Sequence, residues 1–162
     1  MTFLRPLVVC LAFVCATPVF AQGTNVAFGT ITQDTTAPVE VTADNLSVDQ
    51  ASGTAVFDGN VLIGQGDLRL SAAKVLVVYR DQNAGIERLE ASGGVTLVSG
   101  PDAAESERAD YDIDSGSIVM TGDVLLTQGP SALTSDKMTV NLRDGTARMS
   151  GRVKTILNTG NN

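Results

Sequence analysis

From Pro38 onward, apolar side chains recur at every second position. Val39, Val41 and Ala43 alternate with Glu40, Thr42 and Asp44, and Leu68, Leu70 and Ala72 alternate with Asp67, Arg69 and Ser71. Tyr111 and Ile113 stand between Asp110, Asp112 and Asp114; Met138, Val140 and Leu142 stand between Lys137, Thr139 and Asn141. A period of two sends one set to each face of a strand. No apolar stripe at helical spacing lasts three turns in this region, and Ser52-Gly53, Ser115-Gly116 and Asp144-Gly145 fall at hairpin intervals. The pattern predicts an all-β chain of antiparallel hairpins.

A repeat organises these strands. Phe57-Asp58-Gly59-Asn60-Val61, Ala91-Ser92-Gly93-Gly94-Val95, Met120-Thr121-Gly122-Asp123-Val124 and Met149-Ser150-Gly151-Arg152-Val153 all read apolar, small polar, Gly, any, Val, at intervals of 34, 29 and 29 residues. Residues two and four places from each central glycine are mostly apolar, and those at odd offsets mostly polar. A glycine inside such a pattern marks a bend or bulge, so each unit is expected to be two strands folded across a corner. Val56, Leu62, Val119 and Leu125 break the alternation and fall on the outer face. Ser99 to Arg108, with Pro101 and three acidic residues, is expected to be an exposed loop, and Gly64-Gln65-Gly66-Asp67 a turn.

The first residues have a different character. Arg5 precedes an uncharged apolar run from Leu7 to Ala16, and Thr17-Pro18-Val19-Phe20-Ala21 offers a helix breaker followed by small residues at the positions a signal peptidase reads. Cleavage is expected after Ala21, leaving 141 of the 162 residues (162 minus 21), one domain's worth, bound for the periplasm. A retained membrane anchor, the alternative, needs about 20 apolar residues. The expected divisions are a leader at 1–21, a flexible segment at 22–37, the β-domain at 38–157 and a disordered tail at 158–162. Cys10 and Cys15 both lie in the leader, each preceded by valine rather than the small residue that lipidation requires. The exported chain therefore folds without thiols or disulfides.

Charge and composition narrow the chemistry. The full chain carries a net charge of −7 and contains no histidine. Without a basic run it is a poor match for nucleic acid or an anionic membrane surface. Without histidine it lacks the commonest general base and the commonest transition-metal ligand, and neither a metal nor a cofactor is expected. Asp110, Asp112 and Asp114 are the nearest approach to paired catalytic carboxylates, but they alternate with apolar residues as a solvated strand face does. Ser131 and Ser135 have no base to activate them. The inward apolar face is the remaining candidate. Its bland reading is a dry core, that of a structural or interaction β-repeat module. Against that stand the scarcity of large aromatics and the presence of Met120, Met138 and Met149, which suit an interior that conforms to flexible chains.

The segments Pro38 to Asp44, Ala55 to Val61, Leu70 to Val75, Ser106 to Tyr111, Val119 to Val124 and Asp136 to Thr139 have an order and spacing that resemble the LptA/OstA family of lipopolysaccharide-transport bridge proteins. The resemblance runs from about Pro38 to Leu157, and Gln22 to Ala37 shows no clear match. It implies a twisted antiparallel β-jellyroll (OstA-like), open at both ends, with a lipid-binding interior and no catalytic activity. It further implies lipid A acyl chains against Val39, Val41, Phe57, Val61, Ile63, Leu97, Tyr111, Ile113, Met120, Val124, Leu126, Met138 and Val140. The implied partners are lipopolysaccharide, the jellyroll domains of inner- and outer-membrane transport proteins, and copies of the chain itself stacked end to end. Unpaired edges are expected near Val39 to Ala43 and near Val153 to Leu157.

Overall fold

Alternating Val, Leu, Ile and Thr with glycine-marked turns form one antiparallel sheet. The computed structural model describes residues 24–28, 35–80 and 85–156; the expected leader, its cleavage site, Leu157 and the tail lie outside the described residues. Eleven strands follow in order: β1 (Thr24–Ala27), β2 (Glu40–Thr42), β3 (Asn45–Asp49), β4 (Thr54–Gln65), β5 (Leu68–Tyr79), β6 (Ile86–Ser99), β7 (Asp102–Asp112), β8 (Ser117–Gln128), β9 (Ser131–Asn141), β10 (Thr146–Ser150) and β11 (Lys154–Ile156). No helix occurs among the described residues. Strand neighbours run β1-β10-β9-β8-β7-β6-β5-β4-β2, with β3 also on β4 and β11 also on β9.

The repeat glycines bend this sheet. Register shifts fall between Asp58 and Val61, Ser71 and Lys74, Ser92 and Val95, Glu105 and Arg108, and Thr121 and Val124, so strands β4 to β8 all break step at one level. A bulge at each strand turns the sheet through a corner. The first three repeat units are each a single long strand carried through its glycine, whereas the fourth is two strands, β10 and β11, on either side of Gly151. On one side of the corners lie β3, β1, β10 and the halves of β4 to β9 containing Phe57, Val75, Leu89, Ala109, Met120 and Met138. On the other lie β2, β11 and the halves containing Ile63, Leu70, Leu97, Ala104, Leu126 and Leu133. Two half-sheets face each other across the core. Each is bounded by strands paired on one side only: β3 and β1 in the first, β2 and β11 in the second.

The expected edges at Val39 to Ala43 and Val153 onward coincide with β2 and β11. Other expectations differ from the structure. Ser99 to Arg108 is not a loop: β6 runs through Ser99, Gly100-Pro101 make the turn, and β7 starts at Asp102. Its inward positions are Asp102, Ala104 and Ser106, small or polar, so hydrophobic alternation fades although pairing continues. The turn expected at 64–67 is confined to Gly66 and Asp67, because Gly64 and Gln65 still pair within β4. Within the segment 22–37, read as flexible, Thr24–Ala27 pairs with β10 and Phe28 is buried. Val153 does not join the core; beside β11 it stays exposed.

Candidate functional site

The inner faces of the two half-sheets form one apolar cluster. Of the thirteen residues proposed to line the interior, Val61, Ile63, Leu97, Tyr111, Met120, Val124, Leu126, Met138 and Val140 are buried, none more than 4 % exposed. Val39, Val41, Phe57 and Ile113 are partly buried and pack against the same cluster. All thirteen therefore share one interior. Sequence reading did not nominate Val75, Val77, Leu133 or Leu142 for this lining; in β5 the bulge reverses the parity, so that a period read from Leu68, Leu70 and Ala72 points Val75 and Val77 outward.

The interior is filled. Scarce aromatics pointed to spare room, but Leu97, Ile118, Met120, Val124, Leu126, Met138, Val140 and Met149 are all 0 % exposed. Branched and thioether side chains interdigitate well enough to exclude water without large rings. Asp110, Asp112 and Asp114 lie exposed on the outer face, as their alternation requires. No cluster of three or more His, Cys, Asp or Glu that could hold a metal occurs among the described residues.

A buried polar contact joins the two half-sheets. Tyr111, on the inner face of β7, donates its hydroxyl to Gln65 Oε1 on the facing half-sheet at 2.5 Å. The Gln65 amide donates in turn to the carbonyls of Thr35 at 3.1 Å and Ala37 at 3.0 Å. Sequence reading missed Gln65 by assigning it to a turn, yet it shares parity with Val61 and Ile63 and is only 4 % exposed. Phe28, also missed, is buried, and its N–H donates to Gly145 O at 2.9 Å. Nearby, Gln128 Nε2 donates to Ala27 O at 2.7 Å and to Asp102 Oδ2 at 3.0 Å. Two stretches before β2 are thereby tied across the side of the sheet opposite the corners.

Burial pushes the Tyr111 hydroxyl above its ordinary value of 10.0, against the smaller opposing influences of the Gln65 hydrogen bond and the Arg143 charge. On the rim, the backbone and side-chain hydrogen bonds from Ser115 hold the Asp112 carboxyl below the usual carboxylate range. The Arg152 hydrogen bond does the same for Asp136. For Tyr111 the raised folded-state value means a contribution to stability present below the unfolded value and lost as pH rises through the folded one. The thermal midpoint is therefore expected to fall more steeply above pH 10.0 in the native chain than in Tyr111→Phe. Superimposable pH profiles would show that the phenol gains nothing from its buried position.

Comparison with known proteins places this architecture. The solved structure of LptH, described as the LptA homologous periplasmic component of the lipopolysaccharide transport device of Pseudomonas aeruginosa, superposes with a TM-score of 0.69 over 78 % of this chain and 99 % of that one. At 17 % identity that likeness is one of fold. An uncharacterized protein of Rhizobium meliloti is 28 % identical over 116 residues, 67 % of this chain and 62 % of the relative. The lipopolysaccharide export system protein LptA of Escherichia coli K12 is 32 % identical over 63 residues, 39 % of this chain and 34 % of the relative. The chain thus matches less than two thirds of the length of either relative. The model of the family described as LptA/(LptD N-terminal domain) LPS transport protein matches residues 40–146, well over half of the chain, and the chain belongs to that family.

Proposed function

We propose that this chain is a non-catalytic periplasmic carrier that shields the lipid A acyl chains of lipopolysaccharide between its two half-sheets and forms part of a bridge between the inner and outer membranes. The observation that carries the proposal is the combination of one continuous apolar interior with half-sheets left unpaired at both ends. A jellyroll closed at its ends would confine a ligand; an open one lets the apolar face continue into a neighbour. β3 is exposed at every residue, and its Leu46 and Val48 pair with Phe57 and Ala55 of the inner face. An unprotected edge with apolar residues invites strand addition by a second copy or by a jellyroll domain of a transport partner.

The energetics suit a passive conduit. Each methylene removed from water is worth about 0.8 kcal/mol, so a chain of about a dozen gains on the order of 10 kcal/mol on entering an apolar groove. A lipid held that way crosses an aqueous compartment, but binding alone supplies no net direction, and the driving energy comes from a partner. The negative charge of the chain fits affinity built on the interior rather than on phosphate pairing.

A second reading has one observation in its favour: the interior is closed to water, as in a dry β-repeat module. Photocrosslinking separates the two. With a photoreactive residue at Phe57, Ile63 or Ile113, and at Asp58 or Asp110 as outward controls, in cells making lipopolysaccharide, adducts are expected from the inward set alone. Folded, exported protein that yields no lipid adduct from any inward position would leave the dry module standing.

A further inference from the structure

The half-sheets are joined differently on their two sides. At the corners, strands β4 to β9 pass from one half to the other, so the connection there is covalent. On the opposite side, two glutamines reach stretches of chain that precede β2. Gln65 donates to the carbonyls of Thr35 and Ala37, and Gln128 to that of Ala27. Gln65 and Gln128 occupy the same place in the repeat. Each stands six residues after a corner glycine, Gly59 or Gly122, ends its strand, and is followed by a turn glycine, Gly66 or Gly129. The repeat thus presents the same amide twice on the far half-sheet, and both amides hold carbonyls of the same amino-terminal region. Ala27 belongs to β1 of the near half-sheet, while Thr35 packs near Gly116 of the hairpin between β7 and β8. Tyr111, reaching from the near half-sheet, completes the Gln65 arrangement.

We propose that Gln65, backed by Tyr111, and Gln128 form a two-point clasp that holds the amino-terminal stretches across the open side of the jellyroll and releases to admit an acyl chain. The inference rests on the carrier role above and says how a filled interior is entered. Entry at the corners would require the sheet to break; entry opposite them breaks no strand and requires that a few side-chain hydrogen bonds exchange partners as the packed inner faces part. The Tyr111–Gln65 hydrogen bond is buried, and a buried donor or acceptor is costly to leave unmade, so the clasp favours a defined closed state. Its groups lie at the strand ends, where water or the polar groups of an arriving lipid can take over the released donors and acceptors. A hydrocarbon pair in the same place would lack that exchange.

The test is stopped-flow uptake of a dansyl-labelled fatty acid by the full exported chain and by Tyr111→Phe, Gln65→Met and Gln65→Met/Gln128→Met, alongside amide hydrogen exchange without lipid. Tyr111→Phe removes one oxygen and keeps the ring, so it reports on the clasp even if a glutamine variant folds poorly. Uptake is expected to quicken about tenfold when Gln65 is released, what one net hydrogen bond amounts to, and further in the double variant. The saturating amount of probe stays unchanged in the glutamine variants, which keep every residue of the proposed lipid lining, and the amides of β1 and β2 exchange faster. Uptake rates within about twofold of the native chain in every variant that still saturates with probe would overturn the clasp while leaving the carrier role intact. Failure of the native chain and all variants to saturate would overturn the carrier role, and the clasp with it, whatever the amides show.

Discussion

Gly122→Ala is expected to destabilise the protein by about 3 kcal/mol, against about 1 kcal/mol for Gly94→Ala, although the two glycines have nearly the same backbone conformation. Their φ angles are +85° and +84°, in the left-handed region where a Cβ is strained. At Gly94 an added Cβ meets nothing within 4 Å, so only the backbone penalty is felt. At Gly122 it would lie 2.6 Å from Glu107 Oε2, 2.7 Å from its Cγ and 2.8 Å from its Cβ. The carboxylate can swing aside; the Cβ is fixed to β7, so either the side chain or the corner must shift. Asp123, the next residue, already has φ of 45° and leaves the backbone little freedom to absorb the change. Urea unfolding of both variants measures the difference. Equal losses would mean that the corner yields freely and that Glu107 does not confine it.

That contrast also shows which parts of the fold were legible. Gly122 and its repeat counterparts announced the corners because glycine is the residue least costly at a positive φ, and the requirement leaves a mark at fixed spacing. Val61, Ile63, Leu97, Met120, Val124, Leu126, Met138 and Val140 were legible because a strand with one wet face writes its burial as a period of two. The signal failed where inward positions are not apolar. In β7 the buried Ser106 satisfies its hydroxyl on Arg108 O at 2.8 Å, and the buried Asp102 accepts from Gln128, so polar side chains sit inside the sheet without breaking it. Gln65 was hidden for the same reason: an amide between two glycines reads as a turn until its long-range partners are known. β1 and β3 are short edge strands whose existence is decided by pairing with β10 and β4, and local pattern carries little of that.

Met138→Ala is expected to cost about 2–5 kcal/mol, while Met138→Leu costs less than about 1.5 kcal/mol. Met138 is directly opposite Met120 on β8 and Met149 on β10, and all three are 0 % exposed. Truncation at the middle of this row leaves a void bordered on both sides by methionines. These can lean inward, but the strands carrying them are held in register by Val119↔Thr139 and Arg148↔Thr139 pairs and cannot follow. Leucine nearly conserves the volume, so its smaller cost reflects shape alone. Chemical unfolding of the two variants tests how tightly the interior is filled. Should alanine cost no more than leucine, the space around Met138 would already be slack in solution, and an acyl chain could enter without the clasp opening. A full cavity penalty at Met138 means that the lipid-free interior is closed by packing, so a carrier of this design must part its half-sheets before it loads, and the hydrogen-bonded side rather than the glycine corners is where they part at least cost.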